Sequence, residues 1–206
     1  MFYVFPNAVP KKECRRILKY CIKNTKFKEA TTIGKGGSDV NTSPNEKSDH
    51  EVRKTDVGFV TDKDNMVNEY AWKFLREANA VQFNYKLDYF QAVQFARYQN
   101  GGHYNWHQDV SPGSPQPDCR KLSLTFCLTD PDTYEGGDLE FFNGGKGFSD
   151  FSLPDGRVIK GEQVAKDIRA QGSAIVFDSY DWHRVTPVTK GIRYSIVCWT
   201  VGPKPV

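Results

Sequence analysis

The chain has 206 residues, 28 of them Lys or Arg and 25 Asp or Glu, for a formal charge of +3. Apolar residues make up 38%, charged residues 26% and aromatics 14%, the mix of a soluble globular protein rather than a disordered, fibrous or disulfide-framed one. The slight basic excess argues against nucleic acid as a partner, and no apolar run nears the ~20 residues that span a bilayer.

The opening segment, MFYVFPNAVPKKE, has no basic start followed by an apolar stretch, so a secretory leader is not expected. The five cysteines (14, 21, 119, 127 and 198) are odd in number and none forms a C-x-x-C pair. They read as reduced thiols behaving as small hydrophobes, which predicts a cytoplasmic protein.

Two helices are predicted near the start. From Pro10, Cys14, Ile17, Leu18, Cys21 and Ile22 form one apolar stripe with Lys and Arg opposite, and Pro10 suits a first helical turn. After Thr61-Asp62, the residues Met66, Val67, Tyr70, Ala71, Phe74, Leu75 and Ala78 repeat the pattern. Between them, residues 31–56 are rich in Gly, Ser, Thr, Asn, Asp and Lys, a long polar loop that reads either as a connection or as a lid over a substrate. After residue 88 the period changes. FQAVQFARY, LSLTFCLT, DLEFF, SAIVF and RYSIVCWTV are β-branched or aromatic runs separated by Gly, Pro, Asn and Asp, and Asn100-Gly101-Gly102 reads as a hairpin turn. About eight strands, with helices only at the start, predict a single domain. Residues 1–87 supply helical support and the polar loop, and residues 88–202 form an antiparallel barrel or sandwich.

Of four histidines, His107 stands in His107-Gln108-Asp109, so His107 and Asp109 share one face of an extended strand. His183 lies in Tyr180-Asp181-Trp182-His183. Two imidazoles and a carboxylate on one side of a metal leave the opposite positions open, a set suited to non-haem Fe(II). An H-x-D triplet is also common among ordinary residues, and that reading stands beside the metal. Ten residues after His183, Arg193 and Ser195 share a strand face while Tyr194 and Ile196 take the other. If the metal residues line the interior, Arg193 is a buried cation and needs an anion. Two candidates are a dicarboxylate gripped by the planar guanidinium, and an internal salt bridge with Asp138 or Glu140.

The stretches RYQNGGHYNWHQD, CRKLSLTFCLTDPDTYEGGDLEFF and QGSAIVFDSYDWHRVTPVTKGIRYSIVCWTVGP resemble the Fe(II)- and 2-oxoglutarate-dependent dioxygenases, most closely the prolyl 4-hydroxylase-like branch. FYVFPNAVPKKEC and VRKTDVGFV are fainter echoes, in family order. The resemblance implies a mainly β fold with supporting α-helices, a double-stranded β-helix (jelly-roll) core backed by the N-terminal helices. It implies Fe(II), 2-oxoglutarate and O2 as cofactors, with L-ascorbate a candidate auxiliary. His107, Asp109 and His183 would be the iron ligands, Arg193 would bind the far carboxylate of 2-oxoglutarate and Ser195 would sit beside it. Tyr98 matches a tyrosine near the cosubstrate and Trp199 an aromatic pocket wall, although both are equally readable as core aromatics. Arg120 falls where some relatives contact substrate. One departure is Cys127, which occupies a position where many prolyl hydroxylases carry a tyrosine. The implied reaction hydroxylates a substrate C–H bond, with a peptidyl proline favoured over a free amino acid or other small molecule. Two other readings fit less well. A nucleic-acid demethylase of the same chemistry would carry a second arginine where Trp199 stands, and a cupin-like metal-binding module would present H-x-H with a glutamate. The resemblance leaves oligomeric state open.

Overall fold

The computed structural model describes residues 2–30, 51–61, 66–110, 118–142, 151–152, 158–159 and 161–203. The chain begins with β1 (Phe2–Phe5), α1 (Lys11–Asn24), β2 (Lys28–Glu29), β3 (Arg53–Lys54), β4 (Asp56–Val60) and α2 (Met66–Ala78). There follow β5 (Tyr89–Phe90), β6 (Val93–Gln99), β7 (His103–His107), β8 (Asp118–Cys127), β9 (Glu135–Gly136) and β10 (Leu139–Phe141). The last third holds β11 (Phe151–Ser152), β12 (Val158–Ile159), α3 (Gly161–Arg169), β13 (Ala174–Asp178), β14 (His183–Val185), β15 (Val188–Lys190) and β16 (Ile192–Pro203).

All strand pairing is antiparallel. The major sheet runs β1-β13-β8-β16-β6-β4-β2, with β5 added against β16, and the minor sheet runs β10-β14-β7-β3. This is a mainly β, jelly-roll architecture. Alternation along the major sheet sorts its residues between two layers. Leu122, Leu124 and Phe126 of β8 and Ile196 and Cys198 of β16 join the core formed with α1 and α2. Arg193, Ser195, Val197 and Trp199 of β16 instead line a cavity.

Both helices form where the apolar stripes predict. In α1, Cys14, Ile17 and Cys21 are fully buried. The helix stops at Thr25, whose extended backbone N–H and Oγ1 both donate to the Cys21 carbonyl, at 2.9 and 2.7 Å. Ile22, predicted inside the stripe, lies at its margin and is 51% exposed. Across α2, Phe74 meets Phe5 at 4.8 Å and Phe126 at 6.1 Å between ring centroids. Each fully buried side chain of this kind, such as Leu75 or Phe126, contributes roughly 2 kcal/mol. No described helix is long and apolar enough to cross a membrane.

Past residue 88 the described residues hold eight strands of three or more residues, as the apolar runs predict, and four of two residues, such as Tyr89–Phe90, which are too short to show a period. Three expectations need correction. Helices are not confined to the start. α3 was missed because, from Val164 on, its buried residues are only Val164 and Ile168, a single pair one turn apart. Asn100-Gly101-Gly102 is a tight turn, with Asn100 and Gly101 at φ 52° and 77° and Gly102 N–H bonded to Gln99 O at 2.8 Å. It is not the end of a hairpin, however, because β6 belongs to the major sheet and β7 to the minor one. The turn pairs with Val188 instead, through Gly101 N–H to Val188 O and Val188 N–H to Gly102 O. Finally, most of the predicted 31–56 loop, residues 31–50, lies outside the described residues, while Arg53–Lys54 and Asp56 at its end are strand.

Candidate active site

The crossover turn carries the chain into β7, where His107 is the last strand residue and Asp109 follows two positions on. β14 pairs with β7 so that His183 is the register partner of His107. Residues distant in sequence therefore meet with ring centroids 4.1 Å apart. Asp109 completes the group, its Oδ1 3.7 Å from His107 Nε2 and its Oδ2 3.5 Å from His183 Nε2. Among the described residues this is the one cluster of three such groups close enough to hold a metal ion.

The local hydrogen bonds settle which nitrogen each ring presents. His107 Nδ1 lies 2.7 Å from Asn105 O and His183 Nδ1 lies 2.9 Å from Asp181 O. A carbonyl only accepts, so each Nδ1 carries the proton and each Nε2 turns a lone pair toward Asp109. Burial and the neighbouring His183 push the His107 imidazolium down to about 3, which keeps the ring neutral. Burial alone would raise the Asp109 carboxyl, yet the Arg120 guanidinium and the Ser123 hydroxyl favour its ionised form, and the net shift is downward. Neutral imidazoles and an ionised carboxylate are the ligand forms of these groups. Their separations exceed a hydrogen bond and suit donors converging on one ion. The residues fit a 2-His-1-carboxylate iron site.

The aspartate is supported from behind. Ser123 Oγ donates to Asp109 Oδ2 at 2.6 Å, which commits its proton, so Ser179 Oγ at 2.8 Å donates to Ser123. Asp109 N–H bonds Ser179 O at 2.9 Å, and Arg120 reaches Asp109 O at 3.2 Å. Sequence reading missed both serines, although the alternation of LSLTFC already puts Ser123, Thr125 and Cys127 on one strand face. Ser123→Ala should weaken Fe(II) binding by about 10–100-fold, as expected when a group orienting a ligand is lost. Titration of the purified variant with Fe(II) under anaerobic conditions measures this.

Arg193 lies deeper, 5% exposed and across the β16–β6 register from Tyr98. Its guanidinium stands over the Tyr98 ring at 5.4 Å and donates to Ser195 Oγ at 3.1 Å. The salt-bridge alternative does not form. Asp138 is taken by Arg169, and Glu140 by Arg184 at 2.7 Å. Among the described residues no carboxylate pairs with Arg193. Instead it faces the Tyr134 phenol, which sequence reading overlooked, and the Cys127 thiol 3.7 Å from that phenol oxygen. Trp199 closes the other end, 8% exposed with Arg120 stacked 3.9 Å over it. The metal triad, Tyr98, Arg193, Ser195 and Trp199 all line one cavity of about 850 Å3.

The family model for the 2OG-Fe(II) oxygenase superfamily matches residues 93–201, more than half of the chain. The chain belongs to that superfamily. The chemistry of that superfamily uses iron(II), 2-oxoglutarate and O2, and the His107, Asp109 and His183 donors fit its iron. This removes the cupin-like alternative. A PKHD-type hydroxylase of Pseudomonas putida (strain W619) is 33% identical over 107 residues, which span 50% of this chain and 40% of that relative. The chain thus matches about two fifths of the length of this curated relative. Among solved structures, the viral collagen prolyl hydroxylase of Paramecium Bursaria Chlorella virus-1, as its 2OG complex, superposes with a TM-score of 0.65 at 17% identity, covering 98% of this chain and 96% of that one. A Trichoplax adhaerens prolyl hydroxylase in complex with a hypoxia inducible factor oxygen degradation domain peptide fragment gives 0.63 at 16% identity, over 97% and 82%. At these identities the structural likeness speaks for the fold.

Proposed function

We propose that this oxygenase hydroxylates a peptidyl proline, with 2-oxoglutarate decarboxylated to succinate. The observation that carries the reading is the shape of the cavity. Besides the metal triad and Trp199, its lining includes Phe59, Tyr89 and Phe90, of which Phe59 and Tyr89 are 46% and 48% exposed. A volume of about 850 Å3 with aromatic walls at an open mouth suits an extended, proline-containing segment better than a small molecule enclosed on all sides.

Iron, once bound, supplies the oxygen chemistry. The chain's part is orientation and charge. His107, Asp109 and His183 would hold the metal, and the cavity that they line offers the room for cosubstrate and substrate beside it. Arg193, with Ser195 beside it, grips the far carboxylate of 2-oxoglutarate, and the tyrosine faces of Tyr98 and Tyr134 keep that end dry. Asp109 contributes one negative charge that offsets part of the metal's. Trp199 and Arg120 wall the substrate side.

The test is incubation of the iron-loaded protein and 2-oxoglutarate with a library of proline-containing peptides, read by intact mass. The expected result is a gain of one oxygen on a subset, lost when the proline is replaced by alanine. Oxygen gained by free amino acids but by none of the peptides would overturn the peptidyl reading.

A further inference from the structure

A second cavity lies directly behind Arg193. It measures about 230 Å3, and its walls include Cys127, Tyr134, Gly137, Ile168, Arg169 and Arg193. Thr125, Leu139 and Arg193 face both this space and the larger cavity that holds the metal triad. The arginine is therefore a partition between the two.

Two short residues leave this space open. Cys127 ends in a thiol 3.7 Å from the Tyr134 phenol oxygen, and at Gly137 even a methyl group would come within 2.8 Å of Arg193 Cδ. The acids nearby are engaged, Asp138 by Arg169 and Glu140 by Arg184. A carboxylate approaching Arg193 thus meets a buried cation with a phenol and a hydroxyl beside it and, among the described residues, no unpaired acid.

We propose that this rear space lets the enzyme use a 2-oxo diacid one methylene longer than 2-oxoglutarate, namely 2-oxoadipate. The inference rests on Arg193 as the anchor of the far carboxylate. The 2-oxo end of the diacid would be held at the iron bound by His107, Asp109 and His183, so an extra methylene must be absorbed at the other end. Behind a rigid wall it would clash. Here the flexible Arg193 stem retreats into the cavity, giving up Ser195 and keeping Tyr134. The reaction balances as for the shorter acid. The bond between the first and second carbons breaks to release CO2, and one oxygen atom completes the new carboxylate of glutarate. The other enters the substrate C–H bond, so O2 takes up four electrons, two from each carbon substrate.

The test compares binding of 2-oxoglutarate and 2-oxoadipate to the full chain loaded with Mn(II), by anaerobic calorimetry, followed by glutarate detection with the iron enzyme. Affinity for 2-oxoadipate is expected within about tenfold of that for 2-oxoglutarate, whereas a pocket that rejects one methylene discriminates by about 10–200-fold. Ile168→Phe on α3 and Cys127→Leu on β8 fill the rear space from opposite sides. Each should weaken 2-oxoadipate by at least about tenfold relative to 2-oxoglutarate. Wild-type discrimination of about a hundredfold, or an unchanged ratio in both filled variants, overturns the proposal. Unaltered 2-oxoglutarate binding by Arg193→Ala would instead remove the anchor, and the extension with it.

Discussion

His183→Ala is expected to abolish iron retention and to reduce succinate formation to the level of iron and 2-oxoglutarate without protein. The substitution removes one of three ligands and leaves the Asp109 carboxylate, buried and ionised, facing a void in place of an imidazole. Loss of a ligand should exceed the 10–100-fold known for residues that merely orient one, so iron affinity should fall by about a hundredfold or more. Metal analysis after desalting measures the first effect and succinate the second. His103 supplies the control, because its ring bonds Gly101 O at 2.9 Å and lies outside the triad. His103→Ala should keep iron. Full succinate production by His183→Ala would refute the ligand set.

Arg193→Ala should act on the cosubstrate and spare the metal. Each charge-assisted hydrogen bond to a carboxylate is worth about 1.5–3 kcal/mol, and a guanidinium offers two in parallel. The loss predicts a kcat/KM for 2-oxoglutarate lower by about a hundredfold or more, carried mainly by KM. Iron affinity should stay within a few-fold, because Arg193 touches Tyr98, Ser195 and Tyr134 but none of the three ligands. An unchanged KM would remove the anchoring role. Arg193→Lys should fall between, keeping the charge without the planar fork.

Much of this site is legible as period. His107 and Asp109 share a face because strand side chains alternate, and the same rule places Arg193 and Ser195 inward with Ile196 and Cys198 against the helices. The stripes of α1 and α2 are read in the same way. Ser123 was equally available to that rule and was passed over, because a serine in an apolar run carries no signal until its partner is known.

The amino-acid sequence by itself determined the residue types, the face each occupies on its own strand or helix, and a family resemblance that extends over most of the chain. Only the tertiary structure decided which faces meet. It brought His183 into register with His107, gave Asp138 and Glu140 to Arg169 and Arg184 so that Arg193 stays unpaired by any described acid, and sent the chain through Asn100-Gly101-Gly102 from one sheet into the other. The physical reason is range. Side-chain periodicity is set by backbone geometry within a few residues, whereas strand partners, ion-pair choices and the empty volume behind an arginine follow from how distant segments close into sheets.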